Sequence, residues 1–305
     1  MKSTFAIAAL SILMMGGNFL YNLALDPKSS KDLVFEDLPE ATEGANDDFV
    51  NDLNWMKEHS EDIFGESFDG LKLHAYLIEN PNSNGKWAVT VHGYTGRADN
   101  FATIDKIFYE NGYSIISPDL RGHGSSEGEY IGMGWHDRKD VLMWVDKIIE
   151  MDPDSDIVLY GVSMGGATVM MTSGEDLPDN VKCIVEDCGY TSAWDEFEYQ
   201  LKELFGLPSF PLLNTANNIT MLRAGYGFNQ ASSVEQVKKA EVPMLFIHGD
   251  EDTFVPYYML DEVYEAANCE KEKLVIEGAK HGEAASVDPE LYWNTVFGFI
   301  DKHFE

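Results

Sequence analysis

Three residue types that together run acyl-transfer chemistry stand in the second half of the chain. A serine lies in Gly161-Val-Ser-Met-Gly165, acids in His248-Gly-Asp-Glu-Asp252, and a histidine in Gly278-Ala-Lys-His-Gly282. The serine carries the most information. It follows a short apolar run, Ile157 to Tyr160, and precedes a helix-forming stretch from Gly166 onward. A sharp turn from strand to helix leaves no room for side chains beside the nucleophile, which is what the glycines at 161, 165 and 166 provide. Such a turn lifts the Ser163 hydroxyl clear of the sheet. It also places it at a helix N-terminus, whose free N–H groups favour a developing negative charge.

A serine nucleophile needs a base, an acid that orients the base, and donors for the oxyanion. His281 sits in a loop after the last expected strand and is the best-placed base. His248 closes a strand, His303 is nearly terminal, and His92 and His123 precede the serine. Asp250 and Asp252 follow the end of one expected strand and Asp187 the end of another. All three acids are candidates, because α/β sheets build their sites at the carboxyl ends of strands.

Those residues have to be positioned by a framework. From Lys86 onward the pattern is strand, loop, helix, repeated. Strands are expected at Trp87–Val91, Ser114–Ser117, Ile157–Tyr160, Lys182–Glu186, Pro243–Ile247 and Leu274–Ile276. Helices are expected over Ala98–Glu110, Trp135–Glu150, Met164–Ser173, Pro256–Ala267 and Glu290–His303. That alternation predicts a mainly parallel sheet with helices on both faces. Before it, Asp69-Gly70 between strand-like runs predicts a hairpin. Too much chain separates the strand ending near Glu186 from the one at Pro243, so the segment from Tyr190 to about Ala231 is expected to form a helical cap insertion over the site. Its aromatic content (Trp194, Phe197, Phe205, Phe210) suggests an apolar or aryl acyl pocket, to which Tyr94 is added.

Three regions follow from this: a hydrophobic segment at 1–25, an acidic linker or helical region at 26–60, and a catalytic domain at 61–305 carrying the cap at about 190–231. Residues 4–25 are apolar apart from Ser11, Asn18 and Asn22, near the length that spans a bilayer. No small-residue cleavage site follows, so an uncleaved anchor is preferred to a signal peptide. A buried helix docked on the catalytic domain is the third option. A membrane-anchored or secreted, extracytoplasmic protein is expected, with a cytoplasmic one as the alternative.

The chain has 53 acidic residues against 21 Lys plus Arg, a formal net charge of −32. A surface of that sign repels nucleic acid and excludes it as a partner. Cys183, Cys188 and Cys269 lack metal-ligand spacing and read as buried thiols. Asp152-Pro-Asp-Ser-Asp156 lacks the glycine and glutamate of a calcium loop, and no phosphate-binding loop or dinucleotide fingerprint occurs.

Taken together, His92-Gly93, Asp119-Leu-Arg-Gly-His-Gly-Ser125, Gly161-Val-Ser-Met-Gly165, His248-Gly-Asp-Glu-Asp252 and His281-Gly282 resemble the serine hydrolases of the α/β-hydrolase superfamily, in which the chain order is also Ser, Asp, His. The resemblance runs from about Ser67 to the C-terminus. It is strongest to bacterial carboxylesterases and cinnamoyl-esterase-like hydrolases, some of which carry an N-terminal hydrophobic segment. It implies the α/β-hydrolase fold and a triad of Ser163, His281 and Asp252, the acid three positions after the strand-end glycine. It also implies an oxyanion hole made by the backbone N–H groups of Met164 and Tyr94, with the Tyr94 phenol as a conceivable extra donor. His92, Arg121 and His123 then read as structural. The expected activity is cleavage of small to medium carboxylic esters, with no metal or cofactor. A peptidase, thioesterase or acyltransferase on the same triad is the alternative, and a catalytically silent envelope-anchored binding protein is the alternative of another class. Activity should rise with pH as the imidazole loses its proton, and an optimum below about pH 5 would count against His281 as base.

Overall fold

Runs of β-branched and aromatic residues that alternate between two apolar surroundings build the centre of the molecule. In Asp156–Val162, Ile157 and Leu159 enter one buried cluster and Val158 and Tyr160 the other. Successive side chains of a strand point to opposite faces, so this strand is buried on both sides. The structure, a computed structural model, describes residues 2–35 and 47–304, with only the backbone of residues 2–9 and 35. The middle of the expected acidic linker, 36–46, lies outside the described residues.

Eight strands form one sheet: β1 (Glu61–Glu66), β2 (Lys72–Ile78), β3 (Lys86–Val91), β4 (Ser114–Pro118), β5 (Asp156–Val162), β6 (Val181–Asp187), β7 (Met244–Gly249) and β8 (Lys271–Ile276). Their order is β1-β2-β4-β3-β5-β6-β7-β8. The β1–β2 hairpin turns through Asp69-Gly70 and joins β4 antiparallel. From β4 to β8 every pairing is parallel.

The helices are α1 (Lys2–Leu25), α2 (Asp32–Phe35), α3 (Asp47–His59), α4 (Ala102–Glu110), α5 (Asp137–Met151), α6 (Met164–Thr172), α7 (Ala193–Phe205), α8 (Leu212–Arg223), α9 (Ser233–Val237), α10 (Tyr258–Ala266), α11 (Ala284–Val287) and α12 (Pro289–His303). The single helix expected at Ala98–Glu110 is split, its first turn, Ala98–Phe101, being a 3-10 helix. One face of the sheet carries α3, α4 and α12, with Phe108, Tyr113, Tyr292 and Phe299 buried against it. The other carries α5, α6, α9, α10 and, beyond them, the cap helices α7 and α8.

Residues 2–25 form the expected helix, but no helix among the described residues is long and apolar enough to cross a membrane. The spanning anchor expected for this segment therefore finds no support, and what the structure gives is the docked alternative. Tyr21 and Leu25 are buried. A Cβ on Gly17 would reach Thr215, and one on Gly16 would reach Leu212, so the two glycines let α1 lie close against α8. Arg223 donates to the Asn18 side chain (2.7 Å) and sits over the Tyr21 ring. At the helix end, Lys31 Nζ donates to the carbonyls of Asn22, Leu23 and Asp26 at 3.1, 2.6 and 2.8 Å. Asn22 and Leu23 belong to the last turn of α1, where a helix leaves carbonyls short of partners. The Ile131 N–H adds a bond to Leu25 O at 2.8 Å.

Several carboxyls are buried inside this framework. Burial raises Asp105 to about 7, outweighing the hydrogen bonding that opposes it, in which Thr90 donates at 2.7 Å. It raises Glu196 to about 8 and pushes Glu186, which accepts the Gly189 N–H at 3.0 Å, well above its ordinary range. Each of these groups binds its proton more tightly folded than unfolded, so each lowers stability as pH rises from the ordinary carboxylate range through the folded value. The expected outcome is a thermal midpoint several degrees higher at pH 6 than at pH 8.5. Asp105→Asn should remove a part of that slope worth on the order of 1 kcal/mol. Calorimetric melts of the two proteins across that range check it.

Candidate active site

Packing at the end of β5 fixes the position of Ser163. The chain leaves the strand and enters α6 at once, with Ser163 at φ 59° and ψ −120° as the residue before the helix. A non-glycine residue in that region is strained by roughly 1–3 kcal/mol and persists only where the surroundings enforce it. Here they do. A Cβ on Gly161 would strike the Gly165 carbonyl, and one on Gly165 would strike the carbonyls of Val91 and His92. Every residue of α6 is buried. The Ser163 N–H donates to Asp187 O at 2.7 Å, tying the turn to the end of β6.

The base and acid arrive from the ends of β8 and β7. His281 Nε2 lies 2.8 Å from Ser163 Oγ, and His281 Nδ1 lies 2.7 Å from Asp252 Oδ2. With the Nδ1 proton given to Asp252, Nε2 is left as the acceptor of the Ser163 hydroxyl proton, the tautomer a general base requires. Asp252 is buried, and its Oδ1 accepts the N–H groups of Phe254 and Val255, each at 2.9 Å. Burial by itself would raise this carboxyl. Hydrogen bonds from His248 and His281, and their charge, outweigh burial and hold it at about 2. The Phe254 ring packs on the imidazole, centroids 4.9 Å apart.

The other two acid candidates are engaged elsewhere. Asp250 accepts the Gly278 N–H at 2.6 Å and so pins the loop that carries His281. Asp187 is buried, takes the Tyr292 hydroxyl at 2.9 Å, and has no bond to His281. His248, set aside as a base, stands behind the acid: its Nε2 is 3.1 Å from Asp252 Oδ2 and 2.9 Å from Val255 O. The four-residue spacing of His248 and Asp252 around the strand-end turn was the available signal for that contact.

Met164 is the first residue of α6, where a helix has no acceptor for its own N–H. The loop after β3 runs past the serine: a Cβ on Gly93 would come within 3.3 Å of Ser163 Cβ, and Tyr94 follows. The Tyr94 phenol is not aimed at an oxyanion. It donates to Ala24 O at 2.7 Å at the end of α1. His92 accepts the Leu120 N–H (3.0 Å), and Arg121 is held by Asp140 (2.7 Å) and Asp69 (3.0 Å). His123 is buried beside Arg121 O, and burial lowers it to about 3.

A cavity of about 770 Å³, counted out to its open mouth, lies over Ser163. Of the expected pocket residues, Tyr94, Phe197 and Phe205 line it. Trp194 and Phe210 do not. Trp194, on the cap helix α7, packs against the core, and Phe210 is 74% exposed to solvent. Aromatic composition placed both in the cap but did not say which face they take. The sequence reading missed Leu20, Leu23 and Ala24 of α1 and Val34 of α2, which close one side of the cavity. The i, i+3, i+4 spacing of the three α1 residues was visible, but in a segment this apolar it does not say which apolar face meets the protein. Cys188, Asp252 and His281 bring three potential metal-ligating atoms within 4.8 Å of one another. Two of the three already bond each other in the Ser163 relay, so a cation there would compete with that hydrogen bond.

A sequence model of the alpha/beta hydrolase fold matches residues 89–207. The esterase Pf2001 of Pyrococcus furiosus superposes with a TM-score of 0.67 at 23% identity, covering 88% of this chain and 98% of that one. The chain has the α/β-hydrolase fold. Another protein of this fold, Est1E of Butyrivibrio proteoclasticus with ferulic acid bound, superposes with a TM-score of 0.61 at 22% identity over 79% of this chain and 98% of that one. The uncharacterized protein YqkD of Bacillus subtilis is 25% identical over 258 residues, 80% of this chain and 84% of its own. At these identities the likeness to solved structures establishes the fold, and chemistry has to be argued from the site.

The low value of Asp252 has a thermodynamic consequence. A carboxyl held at about 2 contributes stability that is complete above the ordinary range and lost as pH falls toward 2. Asp252→Asn should therefore be less stable than the parent by on the order of 2 kcal/mol at pH 6, and the two should converge near pH 2. Urea unfolding at a series of pH values measures the convergence. A constant difference across the series would mean that the loss is packing, not charge.

Proposed function

We propose that this protein is a serine hydrolase that cleaves carboxylic esters of small to medium size through an acyl-enzyme. The observation that carries the reading is the unbroken relay from Ser163 Oγ through His281 to Asp252 at the edge of a mostly apolar cavity. Ser163 Oγ attacks the ester carbonyl as its proton passes to His281 Nε2. The charge on the former carbonyl oxygen is taken by the N–H groups of Met164 and Tyr94. His281 then gives the proton to the departing alcohol, and the acyl group stays on Ser163. Water, activated by the same imidazole, releases the carboxylic acid and restores the serine. Asp252 keeps the imidazole in the required tautomer and stabilises its charged form.

The cavity supports an apolar acyl group. Phe197, Phe205, Leu201, Leu204 and Phe254 offer it hydrocarbon and aromatic surface. Since α1 supplies part of this wall, the proposed substrate site needs the segment to be retained, not cleaved. One face of the same helix exposes Ile12, Met15 and Phe19, and the cap exposes Leu207, Phe210 and Leu222. This face supports attachment of α1 along a bilayer surface, with the helix lying in the interface instead of crossing it.

Two outcomes are expected. Against p-nitrophenyl esters from acetate to palmitate, the full chain should turn over short and medium acyl groups best, and Ser163→Ala should lose activity by at least about a thousandfold. A fluorophosphonate should label Ser163. A folded protein inert on the whole series would remove the esterase reading. For attachment, the full chain should float with phosphatidylcholine vesicles, whose neutral surface does not oppose the acidic protein, and the pair Ile12→Glu and Met15→Glu should abolish flotation. Protein that stays at the bottom of the gradient sinks that reading.

A further inference from the structure

The cavity over Ser163 meets the surface at an apolar seam. Of the described residues that line it, Phe205 alone is an exposed large hydrophobic side chain, 36% open to solvent at the end of α7. Its ring stands edge-on to that of Phe19 on α1, centroids 6.3 Å apart. Phe19 is itself exposed and shares a helix face with the exposed Met15 and Ile12, four and seven residues earlier. The neighbours of this pair, Leu20 on α1 and Leu204 on α7, both belong to the cavity wall. At the seam between α1 and α7, the inside of the cavity and the exposed face of α1 therefore become one continuous apolar surface.

The distribution of charge says what meets that surface. The chain carries 53 Asp and Glu among 305 residues, yet its two longest stretches with neither are residues 1–25 and 204–234. The first holds α1, and the second holds the end of α7, the loop after it and α8. The two stretches adjoin, because Gly16 faces Leu212 and Gly17 faces Thr215. Contact with water gives no reason to exclude carboxylates from two segments so far apart in the chain. Contact with lipid does, because a carboxylate taken out of water without a partner is costly.

We propose that the substrate is an ester dissolved in a lipid bilayer, and that its hydrocarbon chain reaches Ser163 sideways, through a mouth between α1 and α7 bordered by Phe19 and Phe205. The inference rests on the ester-hydrolase reading of the cavity and on attachment of α1 along the bilayer surface. A chain that crosses water on its way to the site becomes scarcer by about fourfold for every CH₂ it exposes. A mouth that opens into lipid avoids that loss. The wall also limits the rest of the molecule. No Lys or Arg lines the cavity among the described residues, so nothing there pairs with a phosphate, and the chain as a whole is strongly acidic. The substrate class that fits is a medium-chain ester with an uncharged head, such as a monoacylglycerol.

The test gives the full chain monodecanoylglycerol in phosphatidylcholine vesicles, with p-nitrophenyl butyrate in water as the soluble reference. Holding the mole fraction of the glyceride in the bilayer constant also fixes its concentration in water. Entry from water then predicts a rate independent of the amount of vesicle. Entry from lipid predicts a rate that climbs at least about tenfold as vesicles are added and levels off when the protein is fully bound. Two variants separate the mouth from mere attachment. Phe205→Glu and Leu207→Glu put the same charge on the same loop, but only Phe205 lines the cavity. The ratio of glyceride to butyrate hydrolysis should fall at least about tenfold further in Phe205→Glu than in Leu207→Glu, and Phe205→Leu should restore it. The proposal is overturned if the rate ignores the amount of vesicle, or if the two glutamates lower the ratio equally. It is also overturned if the full chain sediments as a dimer that Phe19→Glu dissociates and does not float with vesicles, since a second copy then covers the face. If butyrate and glyceride are both left intact, the hydrolase reading is what fails. A decyl glycerol ether carrying a diazirine, irradiated in the vesicles with the full chain, then decides the route alone. Labelling of Leu20, Leu204 or Phe205 supports it, and labelling confined to residues outside the cavity overturns it.

Discussion

The arrangement depends on one steric constraint, the absence of room for any side chain where β5 turns into α6. Gly165 presses on the carbonyls of Val91 and His92, and Gly161 on the carbonyl of Gly165, so the backbone between them can take only the course it takes. Ser163 is forced to positive φ, and the strain is offset by a strand and a helix that are buried along almost their whole length. With the serine fixed, the sheet order does the rest. Counting outward from β5, the next three strands are β6, β7 and β8, and each contributes at its carboxyl end. Asp187 O holds the serine N–H, Asp252 holds the imidazole, and His281 reaches the hydroxyl. The relay is short because parallel strands stand about 4.8 Å apart, and three such steps are spanned by one aspartate and one histidine side chain.

Carboxyls of similar intrinsic acidity are sorted by the number of donors that reach them. Asp252 is buried yet held at about 2, because two backbone N–H groups and two imidazoles converge on it. Asp187 is as buried and adjacent in the sheet. It has one side-chain hydroxyl from Tyr292 on Oδ2, and burial raises it to about 6. Glu196, with a single amide donor and two negative neighbours, is raised to about 8. Burial acts the same way on all three, so the direction of the net shift is decided by hydrogen bonds. An acid held charged and one held protonated can therefore stand in the same region of the fold, sorted by the donors that reach each one.

Much of this was legible in the sequence where backbone geometry dictates residue type. The glycines around Ser163, the Asp69-Gly70 hairpin and the strand–helix alternation each answer a local steric demand, so they predict structure without knowledge of partners. The three residues that the structure bonds together, Ser163, His281 and Asp252, were picked out by chain order and, for Asp252, by the resemblance; by position alone Asp250 and Asp187 were as good. What stayed hidden depends on which face a side chain turns. Phe210 and Phe205 are five residues apart in one aromatic run, yet one is exposed and the other lines the cavity. Residues 4–25 are apolar apart from Ser11, Asn18 and Asn22, a polar stripe too sparse to choose between a bilayer and a protein groove. Gly16-Gly17 looked like a weakness in a helix. It is where α1 approaches α8, a contact that only the fold brings together.

The N-terminal helix couples two ends of the site through a single residue. Its inner face, Leu20, Leu23 and Ala24, closes the cavity, and its outer face, Ile12, Met15 and Phe19, meets solvent. Its C-terminal end is the firm one, because Lys31, Ile131 and Tyr94 all bond the last carbonyls. Tyr94 also follows Gly93 in the loop beside Ser163, and its backbone N–H is the donor assigned above to the oxyanion. The phenol that anchors α1 and the amide that would hold the developing charge thus sit on one residue, separated by a short, half-rigid side chain. A displacement of the helix end pulls on the loop that sets the oxyanion distance, and hydrogen bonds to a transition state weaken steeply with misplacement. On the proposed function the cavity wall formed by α1 is for that reason tied, through the single residue Tyr94, to the backbone beside Ser163.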